Sequence, residues 1–209
     1  MIEGEENDMG KSILVTGFDP FGGETINPAW EAVSRLPDEI GGWRVEKLMA
    51  PTVFGEAGRV VLERAAVVKP DAVLCVGQAG GRAAVTPEKA AINLRHAPIP
   101  DNAGNTPQDE PVVPGGPDAY FSTLPVRAMA ARIRAAGIPA AVSYSAGAFV
   151  CNDLMYTVLH HYAGTGVRAG FVHVPYLPEQ AAGRDAPSLP LDTIVRALTE
   201  AALAIAGEE

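Results

Sequence analysis

The sequence predicts an α/β fold: a mostly parallel sheet packed between helices. Three observations carry that expectation. Short, almost wholly apolar runs at 11–17, 71–77 and 168–174 have the length and composition of strands buried on both faces. Stretches of helical period lie between such runs. The two kinds alternate along the chain, the order that builds a parallel sheet covered by helices. At 209 residues the chain is most simply one domain with a substantial core, and neither an internal repeat nor a boundary interrupts it.

Each element has a local reason. Residues 11–17, Lys-Ser-Ile-Leu-Val-Thr-Gly, form the first strand and lead into the loop Phe18-Asp19-Pro20-Phe21-Gly22-Gly23. Asn27-Pro28 then opens a helix, with Asn as N-cap and Pro at the first helical position. A strand is expected at 43–50, a helix at 55–68, a strand at 71–77 and extended segments at 84–85 and 90–94. Prolines at 98, 100, 107, 111, 114 and 117 exclude a regular element over 95–119. So long an irregular connection inside a domain is usually functional. A helix at 125–136, a strand at 139–144, a helix carrying Cys151 and a strand at 168–174 follow. A final amphipathic helix at 188–206, beginning at Ser188, sets Leu191, Ile194, Val195 and Leu198 on one face. Residues 1–10 read as an acidic, disordered extension without the regions of a signal peptide, and residues 11–209 as the folded domain.

Composition narrows the function. With 16 Lys and Arg against 25 Asp and Glu, the formal charge of -9 argues against a nucleic-acid surface, which needs clustered cations. No apolar run has the length of a membrane span. Of the two cysteines, Cys75 lies inside the strand at 71–77 and reads as an inert core thiol. So few cysteines fit a cytoplasmic protein in a reducing compartment.

Cys151 is different. It follows a small-residue turn, Ser145-Ala146-Gly147-Ala148, and opens a helix. Free N–H groups and the positive helix end there favour a thiolate, the setting of a nucleophile. Among the four histidines, His160 and His161 fall at the end of the same helix, where a capping or surface role suits them. His96 belongs to the proline-rich loop. His173 ends the apolar strand Phe171-Val172-His173-Val174, at the sheet edge where ligands gather in open α/β folds. A strand histidine alone is more often structural; with Cys151 at the same edge it becomes a candidate general base. A third group should orient the imidazole. Glu88, reached through the glycine turn after residue 77, is a candidate, with an N-terminal helix charge after Thr86-Pro87 as the alternative. The glycine-rich segments 17–23 and 77–82 lack phosphate-loop spacing, and no Cys/His cluster has zinc spacing, so neither a nucleotide nor a metal is expected. A non-catalytic small-molecule or nucleotide-binding protein on the same scaffold is the competing reading.

Several segments, in order over nearly the whole chain, carry a resemblance. They are Gly17-Phe18-Asp19-Pro20-Phe21-Gly22-Gly23, Gly77-Gln78-Ala79-Gly80-Gly81-Arg82, Val85-Thr86-Pro87-Glu88-Lys89, Ile99-Pro100-Asp101-Asn102, Ala146-Gly147-Ala148-Phe149-Val150-Cys151-Asn152 and His173-Val174-Pro175-Tyr176-Leu177-Pro178-Glu179-Gln180. The sequence resembles the pyroglutamyl peptidase I family of cysteine peptidases. That resemblance implies a single three-layer α/β/α domain around a mostly parallel twisted sheet, working without a cofactor as a homotetramer on peptides with an N-terminal pyroglutamate. It implies Cys151 as nucleophile, His173 as general base and Glu88 as the acid orienting it. Phe18, Phe21, Thr52, Gln78, Ile99, Phe149 and Val150 match the positions that line the family's pyroglutamate pocket. A neutral lactam asks for apolar walls and a few fixed polar partners, which suits that set. Three positions depart. Pro98 stands where the family commonly has arginine, removing a cation from the expected site. Asp153 replaces a common histidine, a change expected to matter little, and Ala90 is smaller than the usual aliphatic residue.

Overall fold

Strand β1 (Ser12–Phe18) lies at the centre of the sheet with every residue buried. Its alternating side chains found two cores. Ile13 and Val15 face one cluster, and Leu14 and Phe18 face the other, as a period of two demands. The structure is a computed structural model describing residues 10–207. Of the expected N-terminal extension, residues 1–9 lie outside the described residues.

Around β1, the strands β2 (Glu39–Ile40), β3 (Trp43–Ala50), β4 (Ala72–Gln78), β5 (Thr86–Glu88) and β8 (Arg168–Val174) complete a six-stranded sheet of order β2-β3-β1-β4-β8-β5. β3, β1, β4 and β8 are parallel, and β2 and β5 are antiparallel edges. A separate ribbon pairs β6 (Ala90–Ile92) with β7 (Ala119–Phe121). Helices α1 (Pro28–Ser34), α3 (Val126–Ala135) and α6 (Leu191–Gly207) cover one face through Val33, Met129, Ile133, Ile194 and Leu198. Helices α2 (Glu56–Val68) and α4 (Val150–His161) cover the other through Val61, Leu154, Met155 and Val158. Full burial of each such aliphatic side chain contributes about 1.5–3 kcal/mol, so both layers are held mainly by apolar contact. A one-turn helix, α5 (Pro178–Ala181), follows β8. The chain is the three-layer α/β sandwich that the alternation predicts. No described helix is long and apolar enough to cross a membrane.

Asn27 caps α1 as expected, its side chain accepting the Ala29 N–H at 3.0 Å with Pro28 at the first helical position. Two expectations fail. Residues 139–144 do not form a strand. They lie against β5 through isolated parallel bridges, Val85 with Ala140 and Glu88 with Ser143. The Val85 N–H donates to the Pro139 carbonyl and the Ser143 N–H to the Pro87 carbonyl, but Pro87 has no N–H for the rung between them, so the ladder is broken. The last helix begins at Leu191, not Ser188. Ser188 bridges Tyr176, the Leu189 N–H donates to the Tyr176 carbonyl at 2.9 Å, and Pro190 biases the residue before it away from helical angles.

Candidate active site

The site assembles at the C-terminal edge of β4 and β8, where Gly77 and His173 are paired neighbours. α4 starts above that edge. Phe149 is its N-cap and Cys151 its second residue, so the thiol sits in the first turn, whose N–H groups have no carbonyl one turn earlier to bond. The thiol lies directly over Gly77. A Cβ on Gly77 would come within 2.9 Å of Cys151 Sγ and 2.7 Å of the Phe171 ring, so the strand must be bare there for the sulfur to reach the edge.

β5 runs antiparallel to β8, with Thr86 opposite His173 and Glu88 opposite Phe171. Glu88 is therefore a diagonal neighbour of His173 on the same face. The imidazole Nδ1–H donates to Glu88 Oε1 at 2.7 Å, which leaves Nε2 as the basic nitrogen. Glu88 has 0% of its surface exposed and His173 has 4%. The alternative of a helix-terminal charge for Glu88 fails, since Thr86–Glu88 is a strand.

Burial dominates the proton affinities. It lowers the imidazole of His173 below its ordinary 6.5, with a contribution from Arg82, although Glu88 pulls the other way. Burial would raise the Glu88 carboxyl, but His173, Ser143 and Arg82 together hold it below its ordinary value. Burial, followed by the charge of Glu88, pushes the Cys151 thiol up to about 12, against Arg82 and the cysteine's own N–H, which lower it. Desolvation thus opposes the thiolate that the helix N-terminus favours. Burial therefore works against charge on both the thiol and the imidazole, while hydrogen bonds and nearby charges keep the Glu88 carboxyl low.

Cys151 and His173 line one pocket of about 470 Å³ with Phe21, Gln78, Arg82, Phe149 and the turn 145–147. Of the expected lining residues, Phe21, Gln78 and Phe149 face it. The two phenylalanine rings lie 6.2 Å apart, and Phe54 meets Phe149 edge-on at 5.2 Å. Gln78 is held by Gln180, whose amide donates to Gln78 Oε1 at 2.9 Å, while Gln180 Oε1 accepts the Leu177 N–H. Ile99 is half-exposed beside the Phe21 turn, its Cδ1 3.9 Å from a Cβ built on Gly22. Phe18, Thr52 and Val150 are buried and do not themselves line this pocket. Phe18 packs on Phe171 at 6.3 Å between ring centroids.

The proline-rich connection is tied down by side chains. Asp101, almost wholly buried, accepts from the N–H groups of Phe54, Ala103 and Asn105 and from the Asn105 amide, all at 2.8–2.9 Å. Although burial raises it, those donors keep its carboxyl low. Asp19 accepts the Thr52 N–H at 2.7 Å and the Asn102 amide at 3.2 Å. The first turn of α4 holds the rest. Asn152 exchanges hydrogen bonds with the backbone of Ile92 and Leu94, and buried Asp153 accepts from the Gly55 N–H and from Arg95. Asp153 is thus a structural anchor of this connection. Pro98 is exposed. Arg82, Gln180 and Asp101 were not singled out by sequence reasoning, though all three stand inside the segments that carry the resemblance. His160, expected in a capping or surface role, bonds Tyr120 Oη at 2.9 Å and stacks on Tyr156. Among the described residues, no three His, Cys, Asp or Glu side chains gather into a metal site.

The chain is similar to known proteins over most of its length. The family described as pyroglutamyl peptidase matches residues 11–208. A pyrrolidone-carboxylate peptidase of Escherichia fergusonii is 54% identical over 194 residues, covering 91% of both chains. One from Levilactobacillus brevis is 55% identical over 92% of this chain and 96% of its own. Among solved structures, pyroglutamyl peptidase I of Bacillus amyloliquefaciens superposes with a TM-score of 0.93 at 48% identity, covering 96% of this chain and 97% of that one. A mutant pyrrolidone carboxyl peptidase of Pyrococcus furiosus gives 0.89 at 42% identity, covering 93% and 97%. A match of this extent, in sequence and in fold, leaves one conclusion: the chain belongs to the pyroglutamyl peptidase family of cysteine peptidases.

Proposed function

We propose that the protein removes N-terminal pyroglutamate from peptides through a thioester acyl-enzyme, with Cys151 as nucleophile, His173 as general base and acid, and Glu88 as the group orienting His173. The observation that carries this reading is the Glu88–His173 hydrogen bond, beside the Cys151 thiol, in a pocket walled by Phe21 and Phe149. Cys151 Sγ attacks the pyroglutamyl carbonyl while His173 Nε2 takes the thiol proton. Burial works against charge on both thiol and imidazole, so this transfer accompanies attack. The imidazolium, stabilised by Glu88, then gives its proton to the departing amine as the C–N bond breaks. Water, deprotonated by His173, adds to the thioester, and the thiolate leaves and is reprotonated. N–H groups of the first turn of α4 are suited to receive the oxyanion of both tetrahedral intermediates.

Specificity follows from pocket chemistry. Phe21 and Phe149 offer apolar faces to the lactam ring, and Gln78, fixed by Gln180, offers an oriented amide. A prolyl residue lacks the lactam carbonyl and carries a charged nitrogen, so it would leave the amide unpaired and bury a charge. Purified protein given pyroglutamyl and prolyl arylamides under reducing conditions should turn over the first and discriminate by about 10³-fold or more. Absence of pyroglutamyl turnover would leave the non-catalytic binding reading in its place. The protein is further read as a cytoplasmic homotetramer. Free Cys75 and Cys151 suit a reducing compartment, and light scattering on the eluting protein tests the assembly.

A further inference from the structure

One charged side chain in the pocket wall has no part in the chemistry above. Arg82 ends the glycine turn that leaves β4, and its side chain is 32% exposed. Its Nη1 donates to Thr86 Oγ1 and to Glu88 Oε1, both at 2.6 Å, and its Nη2 donates to the Ser145 carbonyl at 3.3 Å. The carboxylate oxygen that receives it is the one that receives His173 Nδ1–H. Resting on the peptidase reading, we propose that Arg82 is a positioning residue of this centre: it fixes the Glu88 carboxylate that orients His173, ties β5 to the turn leading into Cys151, and offsets the charge of Glu88 in the pocket.

Geometry supports each part. Glu88 has no exposed surface, and an ionised carboxylate so placed needs a paired, hydrogen-bonded cation. A planar guanidinium holds three acceptors from one rigid fork, whereas an ammonium offers its donors from a single rotatable point. The acceptors belong to β5 and to the turn 145–147, the two segments that flank the reacting thiol and imidazole. Pro98 supplies no cation here, so the positive charge lining this pocket comes from the β4–β5 turn.

The charge has a consequence for protons. The ionisable groups that act on one another here are Glu88 from β5, His173 from β8, Cys151 from α4 and, beneath it, Cys75 from β4. The charge of Glu88 draws a proton onto His173 and holds one on Cys151. Arg82 opposes both effects. Removing it therefore makes the imidazole more basic and the thiol less acidic, and both changes move the working range to higher pH.

Two variants of the full-length protein test this: Arg82→Met, which keeps bulk without charge, and Arg82→Lys, which keeps charge without the fork. The rate of iodoacetamide alkylation at Cys151, assigned by peptide mapping to separate it from Cys75, is followed against pH without any substrate. Alkylation follows the thiolate fraction, so Arg82→Met should react about tenfold more slowly at a given pH for each unit its thiol rises. Arg82→Lys should recover most of that rate. With a pyroglutamyl arylamide, the acid limb of kcat/KM should move to higher pH in Arg82→Met. In Arg82→Lys, kcat/KM should stay about 10- to 100-fold below wild type, because the carboxylate is no longer clamped. An alkylation curve for folded Arg82→Met that superposes on wild type overturns the proposal, as does full kcat/KM in Arg82→Lys. Should Arg82→Met not fold, the Lys variant decides on kcat/KM alone. A wild type without peptidase activity sinks the functional reading, while the alkylation comparison still judges Arg82.

Discussion

At the scale of single residues, the distinctive feature is a thiol at a helix start whose burial works against the thiolate. Cys151 lies in a helix N-terminus, which favours a thiolate, yet burial and the charge of Glu88 push the thiol up to about 12. The base must therefore be ready at neutral pH, and burial of His173 provides that by keeping its imidazole neutral. Since His173 is held below its ordinary 6.5, kcat/KM should be maintained through neutral pH and fall only as the pH drops through a midpoint under 6.5. A pH–rate profile with its acid midpoint clearly above that value would contradict the assignment. Glu88→Gln keeps the shape but removes the charge that fixes the tautomer and stabilises the imidazolium. It should lower kcat by about 10²- to 10⁴-fold with little change in KM, measurable by steady-state kinetics.

At the scale of elements, the first turn of α4 does three jobs in three consecutive residues: Cys151 faces the pocket, Asn152 holds Ile92 and Leu94, and Asp153 holds Gly55 and Arg95. Asp153→Ala would leave Arg95 and the Gly55 N–H without their acceptor and should destabilise the protein by about 3 kcal/mol. The same change should raise KM more than it lowers kcat, because Ile99 is carried on the connection it anchors. Urea unfolding together with kinetics reads both, and an unchanged midpoint would show that the pair is dispensable. These anchors also mark what sequence can reveal. Cys151 and His173 are legible because each sits in a local setting, a helix start and a strand end. Asp153 is not, since its partners stand 98 and 58 residues away. Arg82 is only six residues from Glu88, but the turn that folds it back has no periodicity to read. The run at 139–144 looks like a strand by composition; the missing N–H of Pro87 in the facing β5 breaks its ladder.

At the scale of the whole molecule, the alternation of apolar runs and helices dictates two cores on either face of one sheet, and that much was readable throughout. The buried ionisable groups then set a pH window for stability. Glu88 and His173 are both held low in the folded protein, so each favours the folded state at higher pH. That stability is lost as the pH falls below about 6.5, first through His173 and then through Glu88. Cys75 and Cys151 are both raised to about 12, so their contribution is present below 9.0 and lost as the pH climbs above it. Thermal unfolding followed across pH should therefore show a plateau between those limits and a decline on each side. A Tm still rising below the acid limit would contradict the buried neutral imidazole.

The central claim is that Cys151 attacks the pyroglutamyl carbonyl, and kcat/KM of Cys151→Ser on a pyroglutamyl arylamide tests it most directly. A hydroxyl in place of the thiol keeps the pocket, His173 and Glu88 but is a far weaker nucleophile here, so the variant should fold with the wild-type Tm and lose about 10³-fold or more in kcat/KM. A Cys151→Ser protein that turns over substrate as well as the wild type would contradict the account.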